Sequence, residues 1–379
     1  MAAIAWGIND GAILRLLRDH GPLSRAALAR RSMLSATTMT KLTARLIDAG
    51  ILREVQDMVE PAGIGRPPID VALVETAYHV IGIHIGAGLV QVGMSDLVAQ
   101  CTPARSFEFN PDSDSSQAVL DRVAAEIESL IADQKVDRRR ILGMGVGVPG
   151  PVDQDGRHLL LSINAGWRNA AVADHLEERT GLSTTVEHNV RAMALGEQVY
   201  GGGNDAGSLL YVYLRTGLGA GLVVDGRPFR PGSYGVTELG HIQVVENGLP
   251  CACGSRGCLE TVLSESYLAD QVAKAGGNPS SPLRALAHMP EARAAMIDHL
   301  TTALSSAVNL LNPDLIVLGG IFAEAPPALA EAVEHDLREK AFPILRDTVR
   351  VRLSALGADA GMPSAAAVAL DHFVYRAKV

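Results

Sequence analysis

The sequence of 379 residues predicts a mixed α/β protein, in which a small helical head precedes a larger body of two lobes. Three observations predict this fold class. Helix-capping residues and apolar residues spaced three and four apart fill the first 72 positions. From residue 76 onward, short apolar strands alternate with amphipathic helices. Glycine-rich loops follow several of these strands, and clefts between two such lobes commonly bind ligands.

Composition and charge restrict the classes of function. Four cysteines are too few for a disulfide framework and favour a reducing compartment, by default the cytoplasm. No apolar run approaches the ~18 residues of a membrane span, and the N-terminus lacks the pattern of a signal peptide. Residues 1–70 carry nine Lys+Arg against seven Asp+Glu, a charge of +2, so a total of -9 leaves -11 for the remainder. This asymmetry permits contact with nucleic acid at the head alone.

The head is predicted to contain three short helices. Asn9 or Asp10 can cap the first helix. Ser24 can cap the second, and Ser35 can cap a third that runs to about Ala49. Two short helices, a tight turn and a further helix form the pattern of a helix-turn-helix, whose last helix enters the major groove of DNA.

The third helix has an apolar face and a polar face. Met39, Leu42 and Leu46 share one side and should pack inward. The other side is rich in hydroxyl and basic groups, which reach base edges and phosphates. The candidate DNA contacts are Ser35, Thr37, Thr38, Lys41 and Arg45, with Arg66 on the segment that follows.

A two-stranded wing is predicted over residues 56–73. Glycines and prolines shape its tip, and Arg66 on such a tip suits insertion into a narrow minor groove. The alternative is a three-helix cap that packs on the body without touching DNA. Pattern, capping and wing agree with one another, which favours DNA binding.

The body is predicted to alternate strands and helices. Its clearest strands lie in HVIGIHI (79–85), ILGMGVGVPGPVD (141–153), LLYVYL (209–214) and LIVLGGIFAE (315–324). A helix with a regular apolar face is predicted over Ser116–Gln134. We expect a first lobe over residues 76–190, completed by a C-terminal helix at 358–379, and a second lobe over residues 191–357 that carries a cysteine-rich loop.

Five motifs of the body occur in an order that resembles the ROK family of repressors, open reading frames and sugar kinases. They are GVGVPGPVD (145–153), TGLGAGLV (216–223), ELGH (238–241), CACGSRGCLE (251–260) and NLLNPDLIVLGG (309–320). The head with GRPP (65–68) is similar to that of the family's transcription factors. The resemblance spans nearly the whole chain. It implies an actin-like, ribonuclease H-like, bilobed sugar-kinase fold, preceded by an all-α winged helix-turn-helix domain over residues 1–72.

Three of the four cysteines lie close together, ten residues and more after a histidine. This group offers three thiolates and one imidazole, the donor set of a closed tetrahedral zinc site that is structural rather than hydrolytic. A disulfide would leave one thiol over and fits a reducing compartment poorly. The resemblance implies the same four ligands, which are His241, Cys251, Cys253 and Cys258.

Two glutamates flank this group. Glu238 lies three residues before His241, and Glu260 lies two residues after Cys258. A metal that holds the loop would therefore hold both carboxylates, and preorganised carboxylates are strong acceptors for sugar hydroxyls. The resemblance implies that Glu238, His241 and Glu260 contact the sugar.

Three departures from the family's kinases argue against phosphoryl transfer. Their segment V-E-N-D-A is V-E-H-N-V here, so Asn189 stands at the position of the general base and cannot accept a proton. His188 replaces an asparagine that contacts the sugar, and both residues remain candidates for sugar binding. The phosphate loop D-I-G-G-T is H-I-G-A-G at residues 84–88, which removes a Mg²⁺ ligand. Arg215 stands where a glycine is usual, so we expect neither ATP nor Mg²⁺ as cofactor.

These observations predict a sugar-responsive transcription factor, a repressor that binds operator DNA and a monosaccharide or sugar derivative without phosphorylating it. The family and the logic of paired half-sites imply a homodimer or a dimer of dimers. Three alternatives remain open: a sugar kinase with a DNA-binding head, a sensor of a sugar phosphate held by Arg215 or Arg191, and a regulator released by a protein partner.

Overall fold

The computed structural model of the chain describes residues 7–56, 69–203 and 205–376. The head combines three helices with a small antiparallel sheet of strand order β1-β3-β2. Its elements are α1 (Ile8–His20), β1 (Leu23–Ser24), α2 (Arg25–Ser32), α3 (Ala36–Asp48), β2 (Leu52–Gln56) and β3 (Ile69–Leu73).

Side-chain caps begin two of the three head helices at the predicted residues. Ser24 Oγ accepts a hydrogen bond from the Ala27 amide at 3.2 Å, and Ser35 Oγ accepts one from the Thr38 amide at 3.1 Å. The prediction for the first helix was wrong, because α1 begins after Gly7. Asp10 instead lies inside the first turn, where its carboxylate accepts the Gly7 amide at 2.7 Å.

The wing differs from the prediction in its first strand. That strand, β2, starts at Leu52 and ends at Gln56, where the predicted wing was expected to begin. It pairs with β3 from Leu52↔Leu73 to Gln56↔Ile69. The tip, with the GRPP motif and Arg66, lies outside the described residues.

The first lobe is a five-stranded sheet of order β10-β7-β4-β5-β6, in which β4, β7 and β10 run parallel. The helix predicted over residues 116–134 has these same bounds. The elements of this lobe are β4 (His79–Ile85), β5 (Leu89–Ser95), β6 (Arg105–Glu108), α4 (Ser116–Gln134), β7 (Ile141–Val148), β8 (Leu159–Ser162), β9 (Trp167–Ala170), α5 (Val172–Thr180) and β10 (Thr184–His188).

The second lobe repeats the arrangement, with a five-stranded sheet of order β13-β12-β11-β14-β15. Its elements are α6 (Asn189–Tyr200), β11 (Ser208–Leu214), β12 (Leu218–Val224), β13 (Arg227–Pro228), α7 (Leu259–Leu263), α8 (Glu265–Lys274), α9 (Pro282–Leu286), α10 (Pro290–Leu311), β14 (Leu315–Gly320), α11 (Ala328–Lys340) and β15 (Val351–Leu353).

The chain then returns to the first lobe through α12 (Gly361–Leu370) and the π-helical turn Asp371–Tyr375. Nearly every residue of α12 is buried, and its small side chains allow close packing. Each lobe has its own apolar core, and α1 shares a third core with α12. Among the described residues, no helix is both long and apolar enough to cross a membrane.

Candidate functional site

A cleft of about 570 Å³ lies between the two sheets. The carboxyl ends of β4, β7 and β10 reach it from one side, and the loops after β11 and β13 reach it from the other. All five predicted sugar contacts line this cleft, namely His188, Asn189, Glu238, His241 and Glu260. Residues far apart in sequence thus converge on one volume that suits a small polar molecule.

Glu260 is held in place by the neighbouring loop. It lies in the first turn of α7, the helix that begins directly after Cys258. Its Oε2 accepts a hydrogen bond from the Leu218 amide at 2.8 Å. The loop passes so close that a Cβ on Gly217 would lie 2.7 Å from the same oxygen. A side chain at this position would push the Glu260 carboxylate away, and with Gly217 in place the second carboxylate oxygen of Glu260 is left to other partners.

Glu238 is the more accessible of the two carboxylates. It precedes a 3₁₀ turn over Leu239–His241, and its side chain is 52% exposed. Its Oε2 lies 4.0 Å from His241 Nε2, which is too long for a hydrogen bond. This carboxylate therefore offers acceptor oxygens to a ligand in the cleft.

The four predicted metal ligands converge in space. Their donor atoms all lie within 4.8 Å of one another, so the group could hold a metal ion. Cys251 Sγ lies 3.6 Å from His241 Nδ1, and Cys253 Sγ lies 3.7 Å from Cys258 Sγ. A disulfide would need a separation of about 2.05 Å, so the sulfur atoms are not bonded.

The measured separations fit a tetrahedral ion. Metal–sulfur bonds of about 2.3 Å and a metal–nitrogen bond of about 2.0–2.1 Å give tetrahedral edges of about 3.8 Å between sulfurs and 3.6 Å between sulfur and nitrogen. The imidazole of His241 would bind through Nδ1, leaving Nε2 on the side of Glu238. The His241 ring therefore belongs both to the candidate metal site, through Nδ1, and to the lining of the cleft.

Two buried histidines also line the cleft. Burial, reinforced by the charge of Arg215, lowers the pKa of His84 to about 4. Burial, reinforced by Arg191, lowers the pKa of His188 to about 4. Both imidazoles are therefore neutral at physiological pH, and the Nδ1 atom of each is buried without a hydrogen-bond partner among the described residues.

The polar groups that line the cleft also include the cation of Arg215. Arg215 is partly buried and makes no ion pair within the described part of the chain. Glu265 and Asp359 also line the cleft. Sequence motifs did not reveal these two carboxylates, and their positions at the starts of helices were the sole available signal. Asn189 forms part of the helix start, where its Oδ1 accepts the Val190 amide at 2.8 Å.

Arg191 lies away from the cleft, which removes it as a candidate ligand for a phosphate. Its side chain is 2% exposed and its Nε donates to Glu187 Oε1 at 2.8 Å. Arg230 donates to the other oxygen of Glu187 at 2.6 Å. These contacts link the two lobes. Burial on its own would raise the pKa of the Glu187 carboxyl, but the guanidinium groups of Arg191 and Arg230 hold that pKa below its usual value.

The predicted DNA contacts fall into two groups. Ser35, Thr37 and Lys41 are exposed on α3, and Thr38 Oγ1 lies 2.8 Å from Ser35 Oγ at the start of that helix. The guanidinium of Arg45, although about half exposed, instead binds the carboxylate of Asp10, which is 1% exposed. That contact joins α3 to α1 and was not apparent in the sequence, because the partners are 35 residues apart.

A winged helix-turn-helix joined to a two-lobed body with a polar cleft defines a class of protein, the DNA-binding regulators built on a sugar-kinase scaffold. Residues 80–372 match the model of the ROK family, and residues 8–58 match that of the MarR family. The chain belongs to the ROK family.

Relatives of both functional kinds occur. The N-acetylglucosamine repressor of Escherichia coli O157:H7 is 29% identical over 367 residues, covering 92% of this chain and 89% of its own. The glucokinase of Halalkalibacterium halodurans is 29% identical over 304 residues, covering 74% of this chain and 92% of its own.

A solved ROK-family transcriptional regulator, described as a homologue of the E. coli MLC protein, superposes with a TM-score of 0.81 at 28% identity. It covers 97% of this chain and 96% of its own length, so the likeness includes the head. The match to the glucokinase covers 74% of this chain and 92% of the glucokinase, so little of that protein is left to match the remaining quarter of this chain. The comparisons therefore support a transcriptional regulator over a kinase.

Proposed function

We propose that the chain is a repressor whose cleft binds a monosaccharide or close derivative and does not phosphorylate it. The observation that carries the proposal is the convergence of Glu238, Glu260 and His241 on one cleft, beside a loop that a metal can fix. Carboxylates and imidazoles in a partly enclosed site are suited to the hydroxyl groups of a sugar. The repressor among the relatives supports the same class of ligand.

The metal in this proposal is zinc with a structural role. Three thiolates and one imidazole satisfy its four tetrahedral positions, and no position remains for water or substrate. The ion would fix both ends of the segment between Glu238 and Glu260, and so preorganise the two carboxylates. Free thiols and DNA binding are compatible with the cytoplasm, which we propose as the compartment.

Absence of phosphoryl transfer is supported by two other residues of the cleft, Asn189 and His84. Asn189 stands where a general base is required, and an amide oxygen does not accept a proton at neutral pH. His84 is neutral and buried where a carboxylate would have to hold Mg²⁺. Together these residues leave the cleft able to bind a sugar and unable to transfer a phosphoryl group to it.

The head is the proposed DNA-binding part. Ser35, Thr37 and Lys41 are exposed on α3, which would enter the major groove. We assign Arg45 to the stability of the head rather than to base contacts, because its charge is paired with Asp10. A homodimer, or a dimer of dimers, would place two such helices on successive half-sites.

A mobility-shift assay on DNA from upstream of the protein's own coding sequence, titrated with a panel of hexoses and amino sugars, tests the regulatory function. We expect binding to this DNA and a change in affinity with at least one sugar. Lys41→Ala should weaken binding by about tenfold and lower the salt dependence, because one phosphate contact is lost. Lys135→Ala, an exposed lysine at the end of α4, is the matched control and should have no effect.

An ATP-coupled assay over the same sugar panel tests the absence of kinase activity. We expect no turnover above the blank. Turnover comparable to that of a sugar kinase, of the order of 1–100 s⁻¹, would replace the proposed function by that of a kinase with a DNA-binding head.

A sensor of sugar phosphates is the second candidate function. Its support is Arg215, a cation of the cleft that makes no ion pair among the described residues and lies near His84, in the loop that corresponds to the first phosphate loop of the family's kinases. Thermal-shift measurements with each sugar and its phosphate ester separate the two candidates, since a ligand at 100 times its Kd stabilises by about 2.7 kcal/mol.

A further inference from the structure

Two helices run from the cleft to the head. α6 begins at Asn189 and α12 begins at Gly361, and both residues line the cleft. At their other ends, α6 finishes at Tyr200, and α12 continues into the π-helical turn that finishes at Tyr375. A helix rises about 1.5 Å per residue, so these tyrosines lie roughly 20 Å from the cleft.

The two tyrosines enclose one arginine of the head. The guanidinium carbon of Arg18 lies 4.5 Å from the ring centroid of Tyr375 and 5.6 Å from that of Tyr200. The Arg18 side chain is 12% exposed, and its Nε also donates to Asp19 Oδ1 at 2.7 Å. The planar cation is therefore largely shielded from solvent and contacts both the rings and a carboxylate, which is a favourable arrangement. The Tyr375 hydroxyl in turn donates to the Leu97 carbonyl of the first lobe.

The backbone of α1 also packs directly on this region. A Cβ on Gly11 would lie 2.9 Å from the Tyr375 carbonyl oxygen, which is closer than real Cβ atoms approach. Helix α1 therefore rests on the π-helical turn without a side chain between them. A displacement of that turn is transmitted to α1 at this contact, because no gap separates the two backbones there.

Each of the two helices is fixed to a different lobe. On the side of the first lobe, a Cβ on Gly82 or Gly145 would lie 2.5 or 2.1 Å from a carbonyl oxygen of α12. On the side of the second lobe, a Cβ on Gly221 would lie 2.6 Å from the Val190 carbonyl oxygen of α6. Such contacts between backbones leave neither helix free to shift without its own sheet.

The contact between the two helices is formed by small residues. A Cβ on Gly196 would lie 2.5 Å from Ser364 Oγ, and the buried Ser364 hydroxyl has no hydrogen-bond partner among the described residues. In the described parts of the chain, no hydrogen bond joins α6 to α12 at this crossing. Packed helices in such an arrangement accommodate lobe movement by a small shear.

We propose that Arg18 is a positioning residue that couples the lobes of the body to the orientation of the head. Movement of the lobes shifts α6 relative to α12 and thereby changes the spacing of Tyr200 and Tyr375. Arg18 lies between the two rings, so α1 follows them. The role of this coupling in regulation rests on the proposed function, but the coupling itself is measurable without DNA or sugar.

Hydrogen–deuterium exchange of the full chain tests the coupling. In Arg18→Ala, we expect amides at the cleft ends of the two helices, in peptides covering residues 187–193 and 358–365, to exchange at least about fivefold faster. Arg30→Ala is the control, because Arg30 is an exposed arginine of the head on α2 that makes no cation–π contact with either tyrosine ring in the described structure. It should leave those peptides unchanged.

A purely local role for Arg18 predicts a different result. Faster exchange confined to α1 and to residues 195–200 and 371–376, with the cleft ends unchanged, would overturn the proposal. Arg18→Lys keeps a cation between the rings and should restore most of the protection. If Arg18→Ala fails to give a single cooperative unfolding transition, Arg18→Gln, which is closer in length, replaces it in the same comparison.

A substitution at the cleft end gives the reciprocal measurement. A Cβ on Gly361 would lie 2.4 Å from the His84 ring, so Gly361→Ala must displace the start of α12. We expect faster exchange in α1 of this variant, and a smaller change when Arg18→Ala is also present. Failure to bind DNA or sugar would remove the proposed function but leave these exchange results, so the two failures can be told apart.

Discussion

The polar residues that line the cleft form two sets of different chemistry. One set is anionic, because Glu238 and Glu260 flank the loop that carries the candidate metal ligands. The other set includes two neutral imidazoles, His84 and His188, and the cation of Arg215, which lies near His84. The carboxylates are suited to hydroxyl groups, whereas His84 and Asn189 stand at positions that are aspartates in the kinase motifs D-I-G-G-T and V-E-N-D-A. Residues of one set thus agree with the family's motifs, while residues of the other depart from them.

The largest expected effect concerns the loop that carries the candidate metal ligands. Cys253 is exposed, so Cys253→Ser costs little in packing and removes one candidate ligand. We expect the zinc content, measured by mass spectrometry of the purified protein, to fall from about one ion per chain to near zero. Sugar affinity should fall with it. Cys101→Ser, outside the cluster, is the control, and equal zinc in both variants would remove the metal from the comparison.

The second prediction concerns the carboxylate that is free to bind a ligand. Glu238→Gln should lower sugar affinity by about 10–150-fold, since a hydrogen bond to a charged group contributes roughly 1.5–3 kcal/mol. Thermal stability without sugar should stay nearly constant, because the side chain is half exposed. Calorimetric titration measures the affinity. Glu246→Gln, an exposed residue of the same loop outside the cleft, should bind sugar like the unmodified chain.

The third prediction distinguishes the role of Arg215 from that of the carboxylates by comparing a free sugar with its phosphate ester. Arg215→Ala should lower affinity for a phosphorylated sugar by about tenfold while leaving the free sugar unaffected, because a guanidinium contributes chiefly to an anion. Calorimetry with the sugar that gives the largest thermal shift, and with its phosphate ester, provides the comparison. If the affinities for both ligands fall equally, Arg215 stabilises the loop and does not bind a phosphate.

The fourth and smallest prediction concerns the buried histidines. The unfolded chain binds a proton at each near pH 6.5, whereas the folded chain does so only near pH 4. The free energy of unfolding should therefore fall as the pH drops through this window, by up to about 1.4 kcal/mol per pH unit for each histidine. His188→Asn should recover about 1 kcal/mol at pH 5.5 relative to pH 7 in urea titrations. His288→Asn, an exposed histidine, should recover nothing.

Local patterns predicted the elements whose structure depends on neighbours in sequence. The bounds of α4, the caps at Ser24 and Ser35 and the convergence of the cysteine cluster all agree with the structure. The predicted start of α1 was wrong because Asp10 does not precede the helix. It is the third residue of α1, and its carboxylate accepts a hydrogen bond from the amide of the N-cap residue, Gly7. Sequence spacing alone did not separate these two ways of capping.

Contacts between distant segments account for what was not predicted. Asp10 with Arg45, and Arg18 with Tyr200 and Tyr375, join residues that share no periodicity and no motif. The lowered pKa values of the cleft histidines likewise arise from burial, which depends on packing of the whole fold. A single sequence carries no local signal for such pairs.

The ion pair between Arg45 and Asp10 has a mechanical consequence for the head. Asp10 caps the first turn of α1, the helix that packs on the body, and Arg45 lies in the last turn of α3, the helix with the exposed polar face. The ion pair therefore links α1 to α3. Since α1 and α3 also share an apolar core, a tilt of α1 would carry α3 with it. In a paired assembly, such a swing alters the gap between two reading helices while each remains folded.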